Sequence, residues 1–329
     1  MCSVSCAHST LNPMLAARIV DRALVVSETP DPMPGLSEVV VRVRAAGLNN
    51  ADLIQIVGGY PAPPGSPADI PGLELAGDVV KVGPGVHRYS VGDRVMAVVG
   101  GGAMAEQIAV HERTLIPVPA TMDWPAAGGF PEAFTTAHDA LFTQCGLQMG
   151  ERVCVHGAAG GVGVAAVQLA TGAGCEVVAT VRNEAMRARV EALAPGRVKA
   201  VSPEGFEVHG PFDVIIELVG AANLAANLAA LRIGGRISII GVSGTGGKGE
   251  IDLLALMQKR ARIHGSTLRT RALEEKADAA RRVERSVLPL VASGVISVPV
   301  EATYPLADAN AAYERFRAGA KFGKIIVSM

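Results

Sequence analysis

Residues 153–163 read Val-Cys-Val-His-Gly-Ala-Ala-Gly-Gly-Val-Gly, a short apolar run that passes directly into a glycine-rich turn. Val164-Ala-Ala-Val-Gln-Leu-Ala170 follows without a breaker, and its small apolar residues predict a helix packed closely on a sheet. Gly157, Gly160 and Gly163 recur at three-residue intervals. That spacing lets backbone pass close to a pyrophosphate while the N–H groups of the helix start face its charge. Ala158, Ala159, Gly161 and Val162 complete the turn and share the expected cofactor contact. A tight strand-to-helix turn that holds no ligand is the other reading of a glycine triplet.

The surrounding pattern argues for an α/β fold. Apolar strands are expected at Arg152–His156, Glu176–Val181, Asp213–Val219 and Arg236–Ile240. Helices are expected at Val164–Thr171, Glu184–Ala194 and Asn223–Leu231, the alternation of a doubly wound parallel sheet. Before them, residues 18–110 hold brief strands separated by Gly and Pro turns, which predicts a β-rich unit. Beyond Arg262-Ile-His-Gly-Ser266, a long charged helix over Glu274–Ser293 precedes closing strands near Val298 and Ile325. The patch 241–249 is dense in glycine and reads as a mobile loop.

With 329 residues, 49% of them hydrophobic, the chain has material for two packed domains. A net charge of −1 gives no bulk attraction to nucleic acid or an anionic membrane. Every apolar run is broken before the ~18 residues that a membrane span needs. Residues 1–10 lack the basic and apolar segments of a secretory signal, so a cytoplasmic location is expected. Cys2, Cys6, Cys145, Cys154 and Cys175 form neither a C-x-x-C pair nor a disulfide framework, and Cys154 and Cys175 read as small core residues.

Ala46-Gly-Leu-Asn-Asn-Ala-Asp52, Pro71-Gly-Leu-Glu-Leu-Ala-Gly77, Val82-Gly-Pro-Gly-Val86, Val91-Gly-Asp-Arg-Val95, the turn at 157–163 and Phe322-Gly-Lys-Ile-Ile-Val327 together resemble the medium-chain dehydrogenase/reductases. Within that superfamily the chain is similar to the zinc-free zeta-crystallin-like quinone oxidoreductases. Phe134-Thr-Thr-Ala137 and the segment from Lys259 to Arg271 look like the tumour-suppressor-inducible subgroup. The resemblance implies a GroES-like catalytic domain built from residues 1–121 and 263–329, a Rossmann domain over 122–262, and an active site in the cleft between them. Where zinc alcohol dehydrogenases carry Cys and Gly-His-Glu, this chain has Asn49 and Gly72-Leu73-Glu74, so no metal site is expected. Without a Lewis acid, an already electrophilic quinone or alkene is a better hydride acceptor than an alcohol is a donor.

NADPH is the expected cofactor, because the strand over 176–181 leads to Arg182 where NAD-selective sites usually place an acid. A solvated arginine, partly neutralised by Glu184, is the alternative, and NADH use stays open. Gly220, Gly241 and Val242 end the later strands beside the expected nicotinamide ribose, and Lys324 follows a family-like Phe-Gly that points it to the same cleft or to the surface. By resemblance, Asn49, Asp52 and Thr136 lie near the reacting end and Tyr60 in the loop that borders it. Tyr60 is the preferred proton donor or substrate contact, since a phenol can donate to an oxyanion and its ring can stack on a quinone, and a tyrosine packed in a Pro-rich loop is the other reading. Ile54 stands where related enzymes often have a second tyrosine. His138 and His156 are weaker candidates for an acid, His156 reading as structural.

Three functions follow. The first is an NAD(P)H-dependent reductase of quinones or enones. The second is an enoyl-CoA thioester reductase, with Lys259, Arg260, Arg262, Arg269 and Arg271 either receiving coenzyme A phosphates or forming a solvated face. The third is a crystallin-like nucleotide-binding protein without turnover. The resemblance also implies a homodimer, through edge pairing of strands around Arg236–Val242.

Overall fold

The computed structural model describes residues 13–242 and 247–329; Cys2, Cys6 and part of the glycine-rich patch lie outside the described residues. The N-terminal part forms β1 (Pro13–Val20), β2 (Ala23–Pro30), β3 (Glu38–Gly47), β4 (Glu74–Val82), β5 (Arg94–Val98), β6 (Gln107–His111) and β7 (Leu115–Pro117), with α1 (Asn50–Ile56) between β3 and β4. The first two strands are a separate antiparallel hairpin, turned by Asp21 and Arg22, both at positive φ. Two helices, α2 (Trp124–Gly128) and α3 (Pro131–His138), then lead across to the second unit.

That unit contains β8 (Arg152–Val155), α4 (Gly161–Gly172), β9 (Glu176–Thr180), α5 (Arg187–Glu191), β10 (Val198–Val201), β11 (Phe212–Glu217), α6 (Leu224–Ala230), β12 (Leu231–Ile239), α7 (Leu253–Lys259) and β13 (Arg262–Gly265). Its six strands are all parallel, in the order β10-β9-β8-β11-β12-β13. This is the Rossmann order, and the direction of winding reverses between β8 and β11. Val153 to Val155 and Val214 to Ile216 are wholly buried, as expected for strands covered on both faces. The chain returns through α8 (Leu273–Ser286), α9 (Leu288–Ala292), β14 (Val300–Pro305), α10 (Ala309–Arg317) and β15 (Lys324–Ser328). In the second sheet the order is β14-β15-β3-β4-β5-β7, with β6 also paired to β3.

Several expectations need correction. The helix expected over 274–293 breaks at Val287, two residues before Pro289, whose ring nitrogen cannot donate to a continuing helix. The helix expected over 184–194 contracts to α5 behind a single 3-10 turn. Residues 236–239 do not offer a free edge, because β12 is paired on one side to β11 and on the other to β13. The edges of the parallel sheet are β10 and β13, and on the β12 side it runs on to Gly265. Among the described residues, no helix is long and apolar enough to cross a membrane.

Candidate functional site

The glycine turn sits at the C-terminal end of β8, at the point where the strand order reverses. Gly157 has φ +63°, the left-handed region that a side chain disfavours, and Ala158 N donates to Thr180 O at 3.2 Å. Gly160 caps α4 with an extended backbone. A Cβ on Gly163 would stand 2.5 Å from Gly157 O and 2.6 Å from Ala158 Cα, so the helix meets the strand through bare backbone. The first N–H groups of α4, from Gly161, Val162 and Gly163, have no intrahelical acceptors and form the anion-facing end of the helix. Ala159 lies in the same turn, and its carbonyl accepts from Gly323 N at 2.8 Å.

The later strands close the floor of the groove. Gly220 has φ +132°, and a Cβ on Gly241 would lie 2.3 Å from Leu218 O, so these two turns cross with no room for side chains. Val242 backs directly on Gly220. Glu217, buried at the end of β11, accepts from Val219 N, Gly220 N, Asn223 and Asn227, which fixes the first turn. His156 is buried and bridges Thr180 Oγ1 at 3.0 Å and Asn227 Oδ1 at 2.7 Å, so its role is structural. Arg182 is exposed just beyond β9, and among the described residues no carboxylate pairs with it. Glu184, expected to neutralise it, is directed to Arg187 at 3.7 Å instead.

Lys324 joins this groove to the other domain. A Cβ on Gly161 would stand 2.6 Å from Lys324 Cδ, so the lysine stem lies along the glycine turn. Its ammonium reaches Glu74 Oε1 at 2.5 Å, Leu48 O at 2.8 Å and Asn49 Oδ1 at 2.9 Å. With 3% exposure it is a buried lysine, which removes the surface alternative. Asn49 Nδ2 donates to Glu74 Oε1 at 2.9 Å, and Glu74 Oε2 accepts from Glu132 N at 2.9 Å. Asp52, buried in the first turn of α1, accepts from Asn49 N and from Gly72 N, which ties the Pro71-Gly72 loop to the helix. Burial pushes the Asp52 carboxyl up to about 6.

Thr136 and Glu132 share one face of α3, with Thr136 Oγ1 3.5 Å from Glu132 Oε1. Tyr60 is half-buried at the rim, and burial raises its phenol above the ordinary range. The guanidinium carbon of Arg269 lies 4.7 Å from the Tyr60 ring centroid. Its nitrogens donate to Tyr60 O at 3.0 Å, Gly100 O at 2.8 Å and Gln55 Oε1 at 2.5 Å. Arg269 is 3% exposed, so it fastens the Tyr60 loop instead of joining a solvated basic face. Of the rest of that expected run, Arg260 and Arg262 stay exposed while the other two are engaged. Arg271 pairs with Asp139 at 2.6 Å, and Lys259 is turned to the carbonyls of Ala229 and Leu231. His138 packs on Phe142 and faces Arg282 and Arg285, with its pKa lowered by burial. Burial raises the thiols of Cys145, Cys154 and Cys175, as for core residues.

Glu74 and Glu132 were not among the expected site residues, and Arg269 was expected only as a coenzyme A phosphate contact or part of a solvated face. Glu74 had been read only as one remnant of a zinc motif, and Arg269 as part of a charge run. Nothing in the periodicity of 131–138 distinguishes Glu132 from an exposed helix residue.

Residues 35–120 match the family model described as alcohol dehydrogenase GroES-like domain, and residues 161–285 the one described as zinc-binding dehydrogenase. The chain is 30% identical over 316 residues to the quinone oxidoreductase of Rattus norvegicus, covering 92% of each chain. It is 32% identical to the spectinabilin polyketide synthase system protein NorB of Streptomyces orinoci, over 93% of this chain and 14% of that one. Among solved structures it is similar to the CurK enoyl reductase, with a TM-score of 0.82 at 25% identity over 96% of this chain and 99% of the other. The chain belongs to the medium-chain dehydrogenase/reductase superfamily of oxidoreductases, in its quinone oxidoreductase-like branch, and carries the superfamily's NAD(P)H-binding Rossmann domain.

The word zinc in one of those descriptions can be tested against the donors. Both oxygens of Glu74 are already taken by Lys324, Asn49 and the Glu132 amide. Among the described residues, no group of three His, Cys, Asp or Glu side chains is placed to hold a metal ion. An ammonium and a carboxamide are poor company for zinc, which prefers imidazole and thiolate. The residues present do not fit that metal.

Proposed function

We propose that the protein is a zinc-independent, NADPH-dependent reductase that passes hydride to a quinone or to the activated C=C of an α,β-unsaturated carbonyl compound. The observation that carries this reading is Lys324, whose stem touches the pyrophosphate turn while its ammonium fills the space among Asn49, Leu48 and Glu74. The position where related enzymes hold a Lewis acid is thereby occupied by a fixed cation paired to a carboxylate. The glycine turn and the start of α4 would hold the pyrophosphate, and Gly220, Gly241 and Val242 would admit the nicotinamide ribose to close backbone contact. Arg182, exposed and unpaired among the described residues, supports NADPH over NADH through a fork of donors for the 2′-phosphate.

Bound dihydronicotinamide supplies the hydride. The chain's own residues orient the acceptor and stabilise the charge that develops on its oxygen, Tyr60 donating from the rim and Thr136 from α3. Purified protein given NADPH and a panel of quinones and activated alkenes is expected to oxidise the cofactor. Absence of turnover with every member, with cofactor binding intact, would leave the crystallin-like binding reading in its place.

A second reading, reduction of an enoyl thioester, draws support from Ile54, which is exposed near the rim, and from similarity to a polyketide synthase protein and an enoyl reductase. Of the basic run, the exposed Arg260 and Arg262 remain available to it. Turnover of a free enone compared with its coenzyme A thioester separates the two, and equal rates would remove the thioester reading. We propose a homodimer paired through β13 and a cytoplasmic setting for the same enzyme.

A further inference from the structure

We propose that Glu132 is the acid that protonates the substrate anion left after hydride delivery, acting from the first turn of α3 beside Thr136. This rests on the reductase reading above. Glu132 is half-buried, its Oε1 3.5 Å from Thr136 Oγ1, and its backbone N–H is held by Glu74 Oε2 at 2.9 Å. The carboxyl therefore has a fixed place on the same helix face as the threonine expected beside the nicotinamide.

The charges around it leave it without a paired cation, the Lys324 ammonium opposing its acidic neighbours only in part. Glu74 on β4 and Asp52 on α1 are its acidic neighbours, and Tyr313 on α10 faces Asp52. The ammonium of Lys324 on β15 is spent on Glu74, Asn49 and Leu48 O. Arg269, from the segment after β13, is spent on two carbonyls and Gln55, with Tyr60 under its guanidinium plane. Among the described residues no ion pair reaches Glu132. Burial and the neighbouring Glu74 charge hold its carboxyl up at about 8, so it carries a proton at neutral pH. Tyr60, raised further by its own burial, is much the weaker acid.

The step balances on an enone. Hydride adds to the β-carbon as NADPH is oxidised to NADP⁺, a C–H bond forms, and the C=C pair shifts to give an enolate. The Glu132 O–H bond then breaks and its proton joins the α-carbon. The carboxylate left behind takes a proton from solvent before the next turnover.

Glu132→Gln keeps the shape and removes the proton. The variant is expected to bind NADPH like the wild type and to lose about a hundredfold or more in kcat with a free enone. The wild-type fall in kcat as pH rises through about 8 should vanish with it. In the cofactor-free protein, infrared or carbon NMR titration should find one carboxyl titrating near that pH and absent from Glu132→Gln. Wild-type kcat and pH profile in the variant would overturn this proposal alone. An inactive wild type would overturn the reductase reading and this proposal with it. If Glu132→Gln does not fold, the wild-type titration decides, and absence of any carboxyl titrating above about pH 7 overturns the assignment.

Discussion

Gly161 and Lys324 meet across the two sheets so closely that a methyl group on the glycine would stand 2.6 Å from the lysine Cδ. The lysine is thereby laid along the glycine turn and its charged end delivered to Glu74. The glycine turn of the Rossmann domain and the Asn49–Glu74 pair are joined through one side chain.

Removing that charge should be costly. Lys324→Met leaves Glu74, with 0% exposure, as a buried carboxylate without its cation. Loss of one partner of a buried pair typically costs about 3–5 kcal/mol. Urea denaturation should show the midpoint fall accordingly, and an unchanged midpoint would contradict the pairing.

Gly163→Ala tests the closeness of turn and helix. Its new methyl would collide with Gly157 O and Ala158 Cα, both backbone. Overpacking of this kind costs about 1–3 kcal/mol of folding stability, so the urea midpoint should fall accordingly, and an unchanged midpoint would show that turn and helix can move apart.

Arg182→Ala addresses cofactor choice. A charge-assisted hydrogen bond is worth about 1.5–3 kcal/mol, so NADPH should bind roughly ten- to a hundredfold more weakly while NADH is little affected. Equal losses for the two cofactors would remove the 2′-phosphate role.

Asp52 makes stability depend on pH. Its folded-state value of about 6 lies above the ordinary 3.8, so between these values the folded chain binds more protons than the unfolded one. The stabilising proton is fully present below the lower value and lost as pH rises through the higher. Stability should fall by up to about 1.4 kcal/mol per pH unit in that window and level off above it. Asp52→Asn should flatten the decline in denaturant melts taken across the window.

Arg269→Lys should loosen the Tyr60 loop. A lysine cannot reproduce the guanidinium fork that satisfies Gly100 O, Tyr60 O and Gln55 together. Limited proteolysis between residues 58 and 66 should accelerate, with a raised KM for the hydride acceptor. Unchanged cleavage would show that the loop is held by other contacts.

The parallel sheet was legible because its strands are apolar on both faces and its first turn is spelled in glycines. Strand β10 was missed, since Val198-Lys-Ala-Val201 offers only four residues, one of them charged. The site was legible where backbone geometry selects the residue, as at Gly157, Gly163 and Gly241. Glu132 and Arg269 were not, because their meaning comes from partners far away in sequence. Arg269 joins Gln55 and Gly100, and a charge run gives no sign of which member will be buried. Lys324 was placed near the cleft by the residues before it, but its ion pair with Glu74 depends on β15 lying beside β3.

That placement of β15 between β14 and β3 sets an order of assembly. As the chain leaves the ribosome, every strand of the parallel sheet emerges before Lys324 does. The nascent sheet of β3 to β7 meanwhile presents β3 with an unfilled margin where β15 will dock, a margin open to wrong partners. The nucleotide-binding half can thus fold while Glu74 still awaits its cation, and completion of the candidate site is deferred to the arrival of residues 324–328.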